Sequence, residues 1–225
     1  MRLLFIRHGD PDYQNDCLTP TGHEQAEKAA HRLASENIDK IYASCMGRAR
    51  QTAGYTARLT GKDVEILDFM REIVWGYDED YQPEASPWVI ADKMADEGMD
   101  AGDPMWEENR YFKGNRCVDN VHMIAEEFDK LLLTLGYRRE GGLYRCITDT
   151  DNDRTVALFS HGGSSSAAMS HILGIPFPLV CSTFHLDLTS VCVLRFDSRP
   201  GSRRMPVIEL LNDARHIHML TNCKI

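Results

Sequence analysis

The sequence predicts an α/β fold, an open doubly wound and mostly parallel sheet with helices on both faces and an inserted lid. Three observations carry that expectation. Short apolar runs stop abruptly at polar or glycine-containing loops, and stretches with helical spacing separate them. The periodicity then fails over residues 75–117, where acidic, aromatic and proline residues gather. With 225 residues, 43% hydrophobic and 26% charged, the chain has enough apolar content for one sizeable domain.

Residues 3–6 form an apolar run broken by Arg7-His8-Gly9, as expected for a buried parallel strand ending in a loop. After Pro20-Thr21-Gly22, the positions Ala26, Ala29, Ala30 and Leu33 recur at helical spacing, and residues 38–43 read as the next strand. This is a βαβ unit. A second helix is expected over residues 48–59 and a third strand over 64–67. Inside the aperiodic segment, 87–97 is weakly helical. Val118, Val121, Ala125, Phe128, Leu132 and Leu135 mark a long amphipathic helix, followed by a hairpin around Gly141-Gly142. Residues 155–159 read as a strand and 162–173 as a helix stopped by Gly174-Ile175-Pro176, with last strands at 190–196 and 207–211.

The formal charge of −9 disfavours a nucleic-acid or membrane-surface partner, although a local basic pocket can still attract a small phosphorylated ligand. Seven scattered cysteines, Cys17, Cys45, Cys117, Cys146, Cys181, Cys192 and Cys223, show no CxxC pairing, which points to a reducing compartment and away from zinc. No HExxH arrangement accompanies the nine histidines. The first residues are too short an apolar run for a secretory signal, no stretch approaches a membrane span, and Cys223 is misplaced for prenylation. A cytoplasmic location without metal or cofactor is expected. Oligomeric state is open, with a homodimer as one option.

Two histidines follow predicted strands directly, in Arg7-His8-Gly9 and Ser160-His161-Gly162-Gly163. Ligands bind at the carboxyl edge of such sheets. Gly162 opens a helix, whose amides favour an anion, and Arg48 starts another helix after a strand at the same edge. Guanidinium forks match phosphate oxygens. Arg7, His8, Arg48, His161 and Gly162 therefore form a candidate phosphate site.

These segments, together with Leu18-Thr19, Gly22, Gln25-Ala26, Ser44 and Gln51-Thr52-Ala53, resemble the histidine phosphatase superfamily, in its phosphoglycerate mutase-like branch with the Arg-His-Gly motif. The likeness runs from residue 2 to about 72 and again from about 154 to 195; length and the break in periodicity predict a single domain over residues 1–225 with the lid inserted at about 75–117. It implies that His8 attacks phosphorus to form a phosphohistidine, with Arg7, Arg48, His161 and the Gly162 amide around the phosphoryl group. It also implies that Glu72, within Met70-Arg71-Glu72-Ile73-Val74-Trp75-Gly76, is the general acid, with Asp10 as the rival. The family's Asn six places after the histidine is missing: Gln14 stands there, and Asn15 is one place late.

The implied activity is metal-independent hydrolysis of a small phosphorylated metabolite. The alternatives are mutase-type phosphoryl transfer and a non-catalytic phospho-ligand binder. A mutase must also hold a carboxylated, doubly phosphorylated intermediate, whereas residues 75–116 carry eleven carboxylates against four cations. Trp75, Trp88, Trp106, Tyr77, Tyr81 and Tyr111 either line a leaving-group pocket or form the lid's own core. His171, His185, His216 and His218 read as structural or surface residues, the last two as exposed, with His185 near the site.

Overall fold

The computed structural model describes residues 1–218 apart from Glu79 and Tyr81, so Tyr81, Cys223 and the His218 side chain lie outside the description. In chain order the elements are β1 (Arg2–Arg7), β2 (Pro11–Asp12), β3 (Cys17–Leu18), α1 (Pro20–Leu33), β4 (Lys40–Ser44), α2 (Gly47–Thr60), β5 (Val64–Leu67), α3 (Pro87–Asp96) and α4 (Arg116–Thr134). There follow β6 (Tyr137–Glu140), β7 (Leu143–Cys146), β8 (Thr155–Ser160), α5 (Gly162–Leu173), α6 (Phe177–Thr183), β9 (Val191–Arg195), β10 (Arg203–Arg204), β11 (Val207–Asp213) and α7 (Arg215–His218).

The main sheet has the order β11-β9-β1-β8-β4-β5. Its four strands β1, β8, β4 and β5 are parallel, and β9 and β11 add antiparallel at one edge. Alternate side chains feed two cores, because successive strand residues face opposite ways. Leu3 and Phe5 of β1 and Leu158 of β8 join Phe128 of α4 and Ala168 of α5. Leu4 and Ile6 join Ala157 and Phe159 with Leu33 of α1 and Ala53 of α2 on the other face. The sheet is therefore wound on both sides, as the sequence pattern requires.

Capping chemistry fixes the helix ends nearest the carboxyl edge. Thr19 caps α1 by accepting from the Gly22 amide at 3.1 Å, with Pro20 in the first turn. Helix α5 is buried along nearly its whole length because Gly162 to Ala168 are small, so α4, α6 and the sheet approach closely. Residues 68–115 connect β5 to α4. Asn115 joins the two by accepting from the amides of Gly76 at 3.2 Å and Cys117 at 3.1 Å, and its Nδ2 donates to the Ala85 carbonyl at 2.9 Å. Ile90 and Met94 of α3, with Trp106 and Phe112, enter the same core as α4 and α5.

Four features were not expected from the sequence: the β2–β3 hairpin, the short strand β10, helix α6 and the short helix α7. Among the described residues, no helix is long and apolar enough to cross a membrane.

The loop after β1 crosses α1 at two glycines. A Cβ on Gly22 would overlap the Asp10 carbonyl oxygen, and one on Gly9 would stand 2.6 Å from the Gly22 oxygen. Neither partner is a flexible side chain. Gly22→Ala is therefore expected to cost about 1–3 kcal/mol, read as a lower urea midpoint with an unchanged slope.

Candidate active site

His8 lies just beyond β1, beside Ser160 and His161 at the end of its parallel neighbour β8. It is 1% exposed. Its Nδ1 is 2.7 Å from the Gly9 carbonyl, which can only accept, so Nδ1 carries the proton and Nε2 keeps its lone pair. Arg48 Nε donates to that Nε2 at 3.3 Å. The Gly9 amide donates to Thr52 Oγ1 at 3.1 Å, and the Thr52 hydroxyl donates to the Arg48 carbonyl at 2.8 Å, which ties the His8 loop to α2.

The His161 ring stands 5.1 Å from that of His8, at 60°. Its Nε2 is 2.8 Å from Ser44 Oγ at the end of β4, while its Nδ1 is buried without a protein partner. Burial comes first in holding both imidazoles neutral, and the nearby Arg48 and Arg7 charges add to it. His8 is held down at about 4 and His161 at about 2. Arg7 Nη1 donates to the Leu186 carbonyl at 2.6 Å, and its buried Nε has no protein partner.

Glu72 follows β5 and meets the first turn of α5. Its Oε1 accepts from the amides of Ile73 at 3.0 Å and Ser164 at 3.1 Å. Burial raises its pKa above the usual carboxylate value, against those hydrogen bonds and the Arg7 and Arg48 charges. Gly163 permits this approach, since a Cβ there would stand 2.6 Å from Glu72 Oε1 and 2.5 Å from Ile73 Cγ1. Asp10 is engaged elsewhere: its Oδ2 accepts from the Thr19 hydroxyl at 2.6 Å.

The structure thus brings Arg7, His8, Arg48, Glu72, His161 and Gly162 to one edge. Gln14 and Asn15 instead turn back on Asp12, whose Oδ1 accepts from both of their amides. Sequence reasoning missed Asp16, which accepts from Arg48 Nη1 and the Gly47 amide, both at 2.6 Å, and so aims the guanidinium. It also assigned no role to Ser44, or to Tyr13, whose ring lies 5.3 Å from the Arg48 guanidinium. The one sequence signal at Asp16 is its place just before the Leu18-Thr19 motif.

Arg7, Glu72 and Gly162 open into a cleft of about 350 Å³ that Tyr13, Trp75, Trp88 and Phe184 also line. Wider grooves of about 640 Å³ beside α2 and about 670 Å³ beside the amino terminus contain none of the six converging residues. The aromatic residues of the 75–117 segment divide: Trp75 and Trp88 border the cleft, whereas Trp106 packs in the core on Phe112 and Phe177. Tyr77 and Tyr111 lie away from it, with the Tyr77 hydroxyl donating to the Tyr111 carbonyl at 2.8 Å. His185 is an exposed residue at the cleft, in keeping with a surface position near the site. His216 is half-buried against Thr189 Oγ1 at 3.0 Å, not exposed, because β9 and α7 meet there. His171 pairs with Asp129 at 3.0 Å. Among the described residues, no group of three or more His, Cys, Asp or Glu side chains is placed to hold a metal ion.

A family model, the histidine phosphatase superfamily (branch 1), matches residues 3–131 and 136–210. The chain belongs to this superfamily. Among its relatives in the histidine phosphatase superfamily is a probable phosphoglycerate mutase GpmB from Photorhabdus laumondii. It is 33% identical over 185 residues, spanning 78% of this chain and 76% of the relative. A protein of the same name from Yersinia enterocolitica is 25% identical over 230 residues, 97% and 96% of the two chains. A solved phosphoserine phosphatase from Entamoeba histolytica, in complex with 3-phosphoglyceric acid, superposes with a TM-score of 0.63 at 21% identity, covering 96% and 98%. A mycobacterial glucosyl-3-phosphoglycerate phosphatase with inorganic phosphate gives 0.64 at 23%, covering 96% and 99%. These two structures share the fold.

The buried histidines make stability depend on pH. His8 titrates near its ordinary 6.5 when unfolded and at about 4 when folded. Below 6.5 the unfolded chain binds the proton first, so stability falls as pH drops from 6.5 and the loss levels off below 4. The gap corresponds to on the order of 3 kcal/mol. His8→Asn is expected to show a shallower decline over that window, measured by urea unfolding at stepped pH.

Proposed function

We propose that the protein is a metal-independent phosphatase that hydrolyses small phosphomonoesters through a phosphohistidine at His8 Nε2. The observation that carries this reading is the fixed tautomer of a neutral His8, with its lone pair between two arginines and a second neutral histidine. Attack requires Arg48 Nε to exchange Nε2 for a phosphoryl oxygen. Their 3.3 Å contact is long for a hydrogen bond, so the exchange loses little. Arg7 Nε and His161 Nδ1 are buried polar atoms without protein partners, suited to the other oxygens. With Ser44 Oγ already accepting from the Met46 amide, its hydroxyl proton is free to go to His161 Nε2, which leaves Nδ1 as the donor.

In the first step the Nε2–phosphorus bond forms and the bond to the alcohol oxygen breaks, while the Glu72 carboxyl proton passes to that oxygen. Water then attacks phosphorus, gives its proton to Glu72 and releases inorganic phosphate from His8. The raised pKa of Glu72 suits this alternation. The cationic groups at the site supply the charge that phosphoryl transfer needs. We read residues 75–117 as a lid on the single domain, and the six free cysteines among the described residues support a reducing, cytoplasmic compartment.

The relatives' names favour mutase activity as a second reading. Against it, the cleft offers Arg7 and His185 as its cation-forming lining residues, where a carboxylated bisphosphate calls for more. Interconversion of 2- and 3-phosphoglycerate would decide for the mutase. Phosphate release from a panel of esters in EDTA, lost in His8→Ala, is the expected result for the phosphatase. Release that survives His8→Ala would overturn the phosphohistidine.

Glu72→Gln gives a second check. It should slow alkyl esters by about 10²–10⁴-fold and p-nitrophenyl phosphate far less, because that phenolate leaves without a proton. Equal loss on both would remove Glu72 from the acid role.

A further inference from the structure

The cleft walls bear on the substrate's other half. Beyond the phosphoryl end, Tyr13, Trp75, Trp88, Phe184 and Leu186 line the space. Trp75 and Trp88 meet edge to face, with centroids 6.0 Å apart at 84°, so the indoles form a fixed corner. That corner reaches the reaction centre. A Cβ built on Gly162 would be 3.9 Å from Trp88 Cζ2 and 3.7 Å from Arg7 Nε, so the indole edge and the guanidinium flank the same glycine.

Two of the lining hydroxyls are already committed. Ser182 Oγ donates to the Pro178 and Leu179 carbonyls at 3.1 Å, and Thr183 Oγ1 donates to the Leu179 carbonyl. Among the described lining residues, Arg7 and His185 can carry positive charge. Arg7 is turned to Leu186 O and the phosphoryl end, and His185 Nε2 sits 3.1 Å from Asp187 Oδ1. A carboxylate on the leaving group would therefore meet mainly aromatic rings, with the Arg7 guanidinium turned to the phosphoryl end and His185 already paired with Asp187, and its desolvation would be poorly compensated.

We propose that the leaving group is an uncharged alcohol bearing a flat apolar ring, seated against Trp75, Trp88 and Phe184. This rests on the phosphatase reading and narrows its substrate class. The carboxylated ligands named for the solved neighbours, phosphoserine and 3-phosphoglyceric acid, belong to the opposite class.

The test holds leaving-group chemistry constant by using alkyl esters: 2-phenylethyl phosphate, methyl phosphate, phosphoserine and 3-phosphoglycerate. The expected kcat/KM for 2-phenylethyl phosphate exceeds that of either carboxylated ester by at least about tenfold. Trp88→Ala should cut the ratio of 2-phenylethyl to methyl phosphate by about tenfold, and Trp88→Phe should keep most of it. Because the readout is a ratio, loss of folded protein does not imitate it. A preference for the carboxylated esters, or a ratio unmoved in Trp88→Ala, overturns the aromatic seat and leaves the phosphatase standing. If no ester is hydrolysed, the phosphatase reading falls, and calorimetry with 3-phenylpropylphosphonate and methylphosphonate decides the seat. Tighter binding of the former, lost in Trp88→Ala, supports it; equal binding sinks it.

Discussion

Everything at the carboxyl edge depends on keeping the His8 imidazole neutral and oriented while two guanidiniums converge beside it. An imidazolium would be repelled by Arg48 and Arg7 and would have no lone pair to offer phosphorus. Burial supplies the larger share of that constraint, and the cationic neighbours add to it. The Gly9 carbonyl then selects which nitrogen keeps its proton. These effects act in the same direction, so the geometry proposed to bind an anionic phosphoryl group also maintains the proposed nucleophile.

The supporting structure fixes the arginines independently of His8. Asp16 has φ +48, in the left-handed region, and from there reaches both Arg48 Nη1 and the Gly47 amide. Thr189 is more strained: it is buried and β-branched, with φ +56, where such residues cost of the order of 1–3 kcal/mol. Its amide donates to the His8 carbonyl at 3.3 Å, and its hydroxyl contacts His216 Nε2. The turn lets the chain enter β9 directly after presenting the Leu186 carbonyl to Arg7. Asn212 holds the same loop from β11, accepting from the Asp187 amide at 2.7 Å and donating to Asp187 Oδ2 at 3.1 Å. Antiparallel strands at one sheet edge thus brace Arg7 on β1.

Those braces mark the limit of what the sequence displayed. Strands β1 and β8 were legible because parallel strands buried on both faces read as unbroken apolar runs, and α5 matched its expected bounds between a strand and Gly174. Arg7, Arg48, His161 and Gly162 were legible because each lies at a strand end or opens a helix, whereas Glu72 was legible only through the family resemblance. Strands β2 and β3 were not, since two residues carry no period, and so Asp16 stayed hidden in a loop. Trp75, Trp88 and Trp106 look alike in an aperiodic segment, and the packing of α3 on α6 is what separates cleft from core. His216 was misjudged because its neighbour, Thr189, is brought to it by a tertiary contact.

Net charge misleads in the same way when it is read as a property of the site. The chain carries −9, yet the carboxylates of residues 75–116 are largely taken up at the surface, Glu97 with Arg110 and Tyr111, and Glu108 with Lys113 at 3.2 Å. Water screens those groups, whereas Arg7 and Arg48 act on the phosphoryl position at short range and with little solvent between. The acidic exterior therefore costs the site little attraction. Its larger effect is on the rest of the ligand, because the same segment presents indoles to the cleft and leaves its own cations, Lys93, Arg110, Lys113 and Arg116, outside the lining. On the proposed reading, phosphate recognition is confined to the sheet edge, and selection among phosphate esters passes to the segment between β5 and α4.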